Sequence, residues 1–146
     1  MNSSTMYCKD RKKLIEIVEE NCDMLLIQEA MLELSYIDEN YALAKGMEFL
    51  KNNEYDAYFQ ACIFDFIYDL NKEKVLDCIL SRASDIDFYL FKEILTMLAH
   101  TAHEDFIKMK KAESYLNFLL EQYNTYSEAE RNELYDLLGN LKEQRK

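Results

Sequence analysis

The chain has 146 residues, no proline, only Gly46 and Gly139 as glycines, and a formal net charge of −11. Average usage would supply about seven prolines and ten glycines. The shortage argues against sandwiches, doubly wound sheets and phosphate-cradling loops, which depend on glycine turns. The expected class is all-α, in a single domain over 1–146 that buries roughly two thirds of its unfolded surface.

In chain order, the N-terminal MNSSTMYCKDRKK carries +3 over residues 9–13, and the LIEIVEEN after it is broken by acids, so it does not read as a signal peptide. Residues 1–8 are expected to be a flexible tail and 143–146 a frayed end. Residues 14–70 then hold thirteen acids against Lys45 and Lys51, a net of −11, whereas residues 71–146 hold fourteen acids and eleven bases, a net of −3. Such a chain repels nucleic-acid phosphates, so direct nucleic-acid binding is not expected. No apolar run approaches the roughly 20 residues that span a bilayer. Cys8, Cys22, Cys62 and Cys78 lack C-x-x-C spacing and read as reduced thiols of a cytoplasmic protein.

Apolar periodicity predicts helices over 9–21, 23–36, 40–51, 54–70, 72–82, 85–100, 104–123 and 128–143. The run CIFDFIYDL (62–70) contains good strand formers, yet a shift of 32 residues aligns Ile27 with Phe59 and Phe91, and Ala30 with Cys62 and Ile94. Met31, Ile63 and Leu95 align likewise, as do Leu34, Phe66 and Leu98. The spacing within each copy is i, i+3, i+4, i+7, one face of a helix. Leu43, Ala44 and Met47 align with Val75, Leu76 and Ile79, then with Tyr115, Leu116 and Leu119 after a further 40 residues. The longer offset implies an insertion near 101–111. Ser84–Asp87, Thr101–Glu104 and Ser127–Glu130 resemble capping boxes, and Asn71 can cap the helix beginning at Lys72.

Antiparallel helix pairs recurring at this period predict a short, degenerate HEAT- or armadillo-like α-solenoid over 23–142, without the proline usual in HEAT repeats. The competing reading is an irregular helical bundle. On the wheel Asp65 and Asp69 lie about 90–100° from the Phe59–Ile63–Phe66–Leu70 face. Asp65 aligns with Glu33 and Tyr68 with Tyr36, so an acid-x-x-Tyr pair recurs. The pairs form either an exposed acidic-aromatic strip or packing between repeats with the tyrosine buried.

Candidate chemistry is sparse. His100 and His103 are spaced to chelate a metal but lack the Glu-x-x-His partners of a bundle site, and read as helix-end histidines. Glu16/Glu20, Glu29/Glu33 and Asp65/Asp69 are carboxylate pairs of the kind found on solvated helix faces. No nucleophile elbow or glycine-rich loop is present. No enzymatic activity, metal or cofactor is expected. Eleven tyrosines are many for this length. Tyr36, Tyr41, Tyr55, Tyr58, Tyr68 and Tyr89 fall in acid-rich surroundings, as aromatic anchors for a basic protein would.

In size, acidity and degenerate helical repeat the chain resembles the bacterial immunity proteins of polymorphic toxin and contact-dependent growth inhibition systems. The resemblance implies a cytoplasmic toxin inhibitor, a monomer or weak dimer, that binds a basic, nuclease-type toxin domain stoichiometrically. The expected partner-binding residues are Glu33, Tyr36, Asp38, Glu39, Asp65, Tyr68 and Asp69. The alternative is an adaptor that holds a peptide or protein subunit in a solenoid groove.

Overall fold

Short polar side chains open the helices. Asp10 accepts the Lys13 N–H at 2.9 Å and starts α1 (Arg11–Glu20). Asp23 accepts from Leu25 at 2.9 Å and starts α2 (Met24–Ile37), and Asp38 accepts from Tyr41 at 3.1 Å and starts α3 (Glu39–Lys51). Asp56, bonded to the Phe59 N–H at 2.8 Å, starts α4 (Ala57–Ile67), which runs into a 3₁₀ turn over Tyr68–Leu70. Asn71 caps α5 (Lys72–Leu80) through the Lys74 N–H at 3.2 Å. Then follow α6 (Phe88–His100), α7 (Ala112–Tyr123) and α8 (Glu128–Gln144). Each cap satisfies an N–H that the helix itself leaves without a partner.

The structure, a computed structural model, describes residues 10–20, 23–82, 86–100 and 108–144, with backbone alone at 100 and 142–144. The described residues are helical and contain no strand. The CIFDFIYDL run is helix followed by the 3₁₀ turn, as the repeat register predicts. The reciprocal capping box at Ser127 is present: Glu130 N–H donates to Ser127 Oγ at 3.2 Å, and Ser127 N–H to Glu130 Oε1 at 3.1 Å. The Thr101 box lies outside the described residues.

Three boundaries differ from expectation. Helix α6, expected over 85–100, starts at Phe88, where Asp87 accepts from Tyr89 at 2.8 Å, and Ser84 of the predicted box lies outside the described residues. The predicted helix over 104–123 is interrupted at Met109–Lys111, where Ala112 N–H bonds back to Met109 O at 3.1 Å. The helix expected from 54 begins at 57, because α3 ends in a Schellman motif. Asn53, at φ 54°, occupies the left-handed position, Glu54 N–H bonds Phe49 O at 3.1 Å, and Asn53 N–H bonds Leu50 O at 3.3 Å. The buried Gln60 amide holds this reversal from α4 through Asn53 Oδ1 (2.8 Å) and Glu54 O (3.2 Å).

The backbone divides into two compact units, Met1–Val75 and Leu76–Lys146, with the boundary inside α5. In the first, α2 packs on α1, α3 and α4, and α3 packs on α4. Its core joins Leu14 and Val18 of α1, Ile27, Met31 and Leu34 of α2, Phe49 and Leu50 of α3, and Phe59, Ile63 and Phe64 of α4. In the second, α8 packs on α6 and α7 around Phe91, Leu95, Leu116, Leu134 and Leu138. Tyr126 closes this unit: its hydroxyl donates to Ile86 O at 2.7 Å, its ring meets Phe91, and burial pushes its pKa up to about 12.

The repeat register of the first helices follows burial at all four positions in α2 and α6 but only at Phe59 and Ile63 in α4, where the aligned Cys62 and Phe66 are half-buried. Ile27, Phe59 and Phe91 are fully buried, as are Met31, Ile63 and Leu95. The register of the second helices fails in the first copy. Leu43, Ala44 and Met47 are not buried; the inward face of α3 is Ala42, Gly46, Phe49 and Leu50. The reason is close packing. A Cβ on Gly46 would meet Ile67 Cδ1 at 2.8 Å and Cγ2 at 2.9 Å, so α3 and α4 approach where only glycine fits. Small residues mark this face, and a pattern built on large ones passes over it.

The two glycines make a matched test. Gly46→Ala is expected to destabilise by about 1–3 kcal/mol through overpacking against Ile67. Gly139→Ala, inside α8 with nothing within 4 Å of the added methyl, is expected to stabilise by about 0.5–1 kcal/mol. Urea unfolding midpoints of the two variants should therefore move in opposite directions.

Candidate functional site

The acidic residues of the first unit fall into two groups, those tied to the backbone and those projecting from it. Asp23, Asp38 and Asp56 are caps, their carboxylates bonded to helix N–H groups. Asp38 does more, because it also pairs with the Arg11 guanidinium of α1. The Tyr41 N–H first, and then Arg11, hold its carboxyl below the usual range. Next to it the Tyr41 hydroxyl donates to Glu19 of α1. Burial, and then the Glu19 carboxylate, raise the Tyr41 pKa. Lys45 reaches Glu19 at 3.5 Å and Glu48 at 3.3 Å, with its ammonium 5.2 Å from the Phe49 ring centre. Burial works against the Lys45 charge, but Glu48 and Glu19 outweigh it and raise its pKa. Asp38, Tyr41 and Lys45 thus form a polar clasp that ties α3 to α1.

The other expected site residues separate. Glu33 is half-buried on α2, and Glu39 is exposed in the first turn of α3. Tyr36 is 75% exposed near the end of α2. Asp65 is half-buried on α4, while Asp69 is exposed and pairs with Lys72 at 3.3 Å. Tyr68 is fully buried, so its assignment as a surface anchor is corrected. Helix α4 ends at Ile67, and the 3₁₀ turn carries the Tyr68 ring inward onto Phe64, stacked at 5.1 Å and 24°. The acid-x-x-Tyr pairs therefore do not repeat as a surface strip: the first tyrosine is outside and the second is core. Among the other acid-flanked tyrosines, Tyr55, Tyr58 and Tyr89 are exposed and Tyr41 is half-buried in the clasp.

No protein-family model, curated protein or solved structure matches this chain. The geometry of the surface is therefore what bears on function. His103 and the His100 side chain lie outside the described residues. Among the described residues no three His, Cys, Asp or Glu groups are placed to hold a metal ion, and no helix is long and apolar enough to cross a membrane.

Periodicity alone missed the face of α2 that looks outward. Leu25 is 65% exposed, and Leu32 and Tyr36 are exposed with it, in the same row as the exposed Glu29. Positions 25, 29, 32 and 36 stand at i, i+4, i+7 and i+11, along one line of the helix. Leu26 and Ile37 are exposed to one side of this line. The signal was present in composition. Ten of the fourteen residues of α2 are apolar, more than the single inward stripe of Ile27, Ala30, Met31 and Leu34 requires.

Two outcomes test these placements. Tyr68→Ala is expected to cost about 3–5 kcal/mol of stability, as for truncation of a buried aromatic, and Tyr36→Ala less than about 0.5 kcal/mol; denaturant titration separates them.

Asp38→Ala, which removes the cap and the Arg11 pair, is expected to cost about 1–2 kcal/mol near neutral pH. Because the folded carboxyl titrates below the unfolded one, its contribution is complete above the unfolded pKa and is lost as pH falls through the folded value. The stability gap between wild type and Asp38→Asn should accordingly shrink on acidification below about pH 4, where the unfolded carboxyl takes up its proton.

Proposed function

We propose that this protein is an acidic helical binding protein that neutralises a basic protein, of the kind of a cognate nuclease-type toxin, by stoichiometric contact. One observation carries the reading: within the first unit, residues 14–70 carry a net charge of −11, equal to that of the whole chain, together with an outward apolar row on α2. Enzymes that act on nucleic acid present basic surfaces, and an acidic partner can mask them with fast, salt-sensitive association. Exposed Tyr36, Leu25 and Leu32 supply anchors, and Glu29 and Glu39 supply the field. This is the arrangement expected of a cytoplasmic immunity protein, one that acts by binding and carries out no reaction. The packing of α2 on α4, equivalent helices of successive copies, supports a HEAT-like stacking of pairs within the first unit.

Affinity capture from the native host, followed by identification of the bound protein, tests the reading. The expected partner is basic, binds one to one, and loses its enzymatic activity in the complex. In stopped-flow association with that partner, Glu29→Lys, Glu39→Lys and Asp69→Lys combined should slow binding about tenfold or more at low salt and have little effect at high salt. A partner that is not basic, or that stays fully active while bound, would favour an adaptor role instead.

A further inference from the structure

We infer that the outward face of α2 docks an amphipathic, basic helix of the partner. The inference rests on the reading of the protein as a binder of basic proteins, and adds the place and shape of the contact.

The face is distinct from every packing surface of the first unit. Ile27, Ala30, Met31 and Leu34 already supply the buried side of α2, which meets α1, α3 and α4. Leu25 and Tyr36 stand largely clear of that packing, and Leu32, at 37% exposure, lies on the same row. Of the nine large apolar side chains exposed among the described residues, five lie on this one helix of fourteen residues: Leu25, Leu26, Leu32, Tyr36 and Ile37. Clustering of this kind marks an interaction surface, whereas exposed apolar side chains scattered singly do not.

Shape selects a helix. At about 100° per residue, Leu32, Leu25, Tyr36 and Glu29 fall within a sector of roughly 60°, so the row runs nearly parallel to the axis. From Leu25 to Tyr36 it extends about 16 Å, three turns, with one side chain per turn. A partner helix with apolar residues at every third and fourth position presents matching rows turn by turn.

Charge selects the occupant. Glu29 stands inside the row and Glu33 beside it, on a segment of net −11. A second copy of this chain would press the same carboxylates and the same negative field against themselves, since a twofold contact pairs one patch with its like. A helix carrying Lys or Arg beside its apolar row meets Glu29 and Glu33 with opposite charge, at a site where the apolar contact excludes water.

The probe is a fluorescent synthetic helix of leucine at the heptad seam positions with lysine elsewhere, compared with analogues in which lysine is replaced by glutamine or glutamate. Fluorescence anisotropy should show the lysine helix binding the full chain at micromolar concentration, the glutamine helix at least tenfold more weakly, and the glutamate helix not at all. Leu25→Ser, Leu32→Ser and Tyr36→Ser combined should weaken the lysine helix at least tenfold, with the circular dichroism spectrum and Tm of wild type retained.

Equal binding to the triple variant would overturn the inference. If Glu29→Lys, Glu39→Lys and Asp69→Lys combined still weakened the probe, the acidic-binder reading would stand and only the docking face would fall. Absence of binding to wild type, or equal binding of the glutamine helix, would also overturn it. So would sedimentation as a dimer that the triple variant dissociates, because a second copy would then own the face.

Discussion

A carboxylate or amide side chain accepting one backbone N–H is the interaction on which this architecture depends. Without proline, and with glycine at only two positions, the chain has few other means of ending one helix and starting the next. Six of the eight described α-helices open on such a residue, five of them aspartates, and a seventh opens on the Ser127 hydroxyl. The exception, α7, follows the Met109–Lys111 turn and uses backbone bonds alone. An aspartate at a helix N-terminus also faces the positive end of the helix dipole, so its charge is stabilising where it sits. Part of the acidity of the first unit is therefore architecture, and the remainder is available as field.

That division changes how the surface is read. Asp38 combines the two roles most closely: it opens α3, and through Arg11 it holds α1 against the rest of the unit. Glu19 does the same from the other side through Tyr41 and Lys45. The clasp leaves α2 as the central helix, enclosed on its inner side by three neighbours and open along its outer line. The close approach of α3 to α4 at Gly46 serves the same end, because it closes the inner layer without recruiting the outward leucines of α2.

Much of this was legible in the residues. All-helical class, the positions of most helices and the core register of α2 and α6 follow from period and composition, since large apolar residues at i, i+3, i+4, i+7 have few other places to go. The face of α3 was only half legible, because Phe49 and Leu50 mark one end of it while Ala42 and Gly46 mark the other with little hydrophobic signal. The fate of Tyr68 was not legible either. It depends on the Phe64 side of α4 being buried as well as the Phe59–Ile63 side, since Tyr68, one turn on, stacks on Phe64. The outward row of α2 was hidden for a different reason. A helix rich in apolar residues on all sides satisfies every inward template, and only the neighbours show which side is left over.

The reversal between α3 and α4 carries a kinetic consequence. Tyr55 is held at φ 63°, a left-handed conformation that costs a bulky residue roughly 1–2 kcal/mol. Its ring lies 4.6 Å from Phe59 and 6.0 Å from Phe49, and Phe49 and Phe59 meet edge to face at 5.1 Å. With the Gln60 bonds to Asn53 and Glu54, these contacts lie between residues 49 and 60. Closing so short a loop loses little chain entropy, so this hairpin can assemble before any distant helix arrives. The α3–α4 corner is thereby held by contacts that are local in sequence. The strained tyrosine marks where the chain turns back on itself.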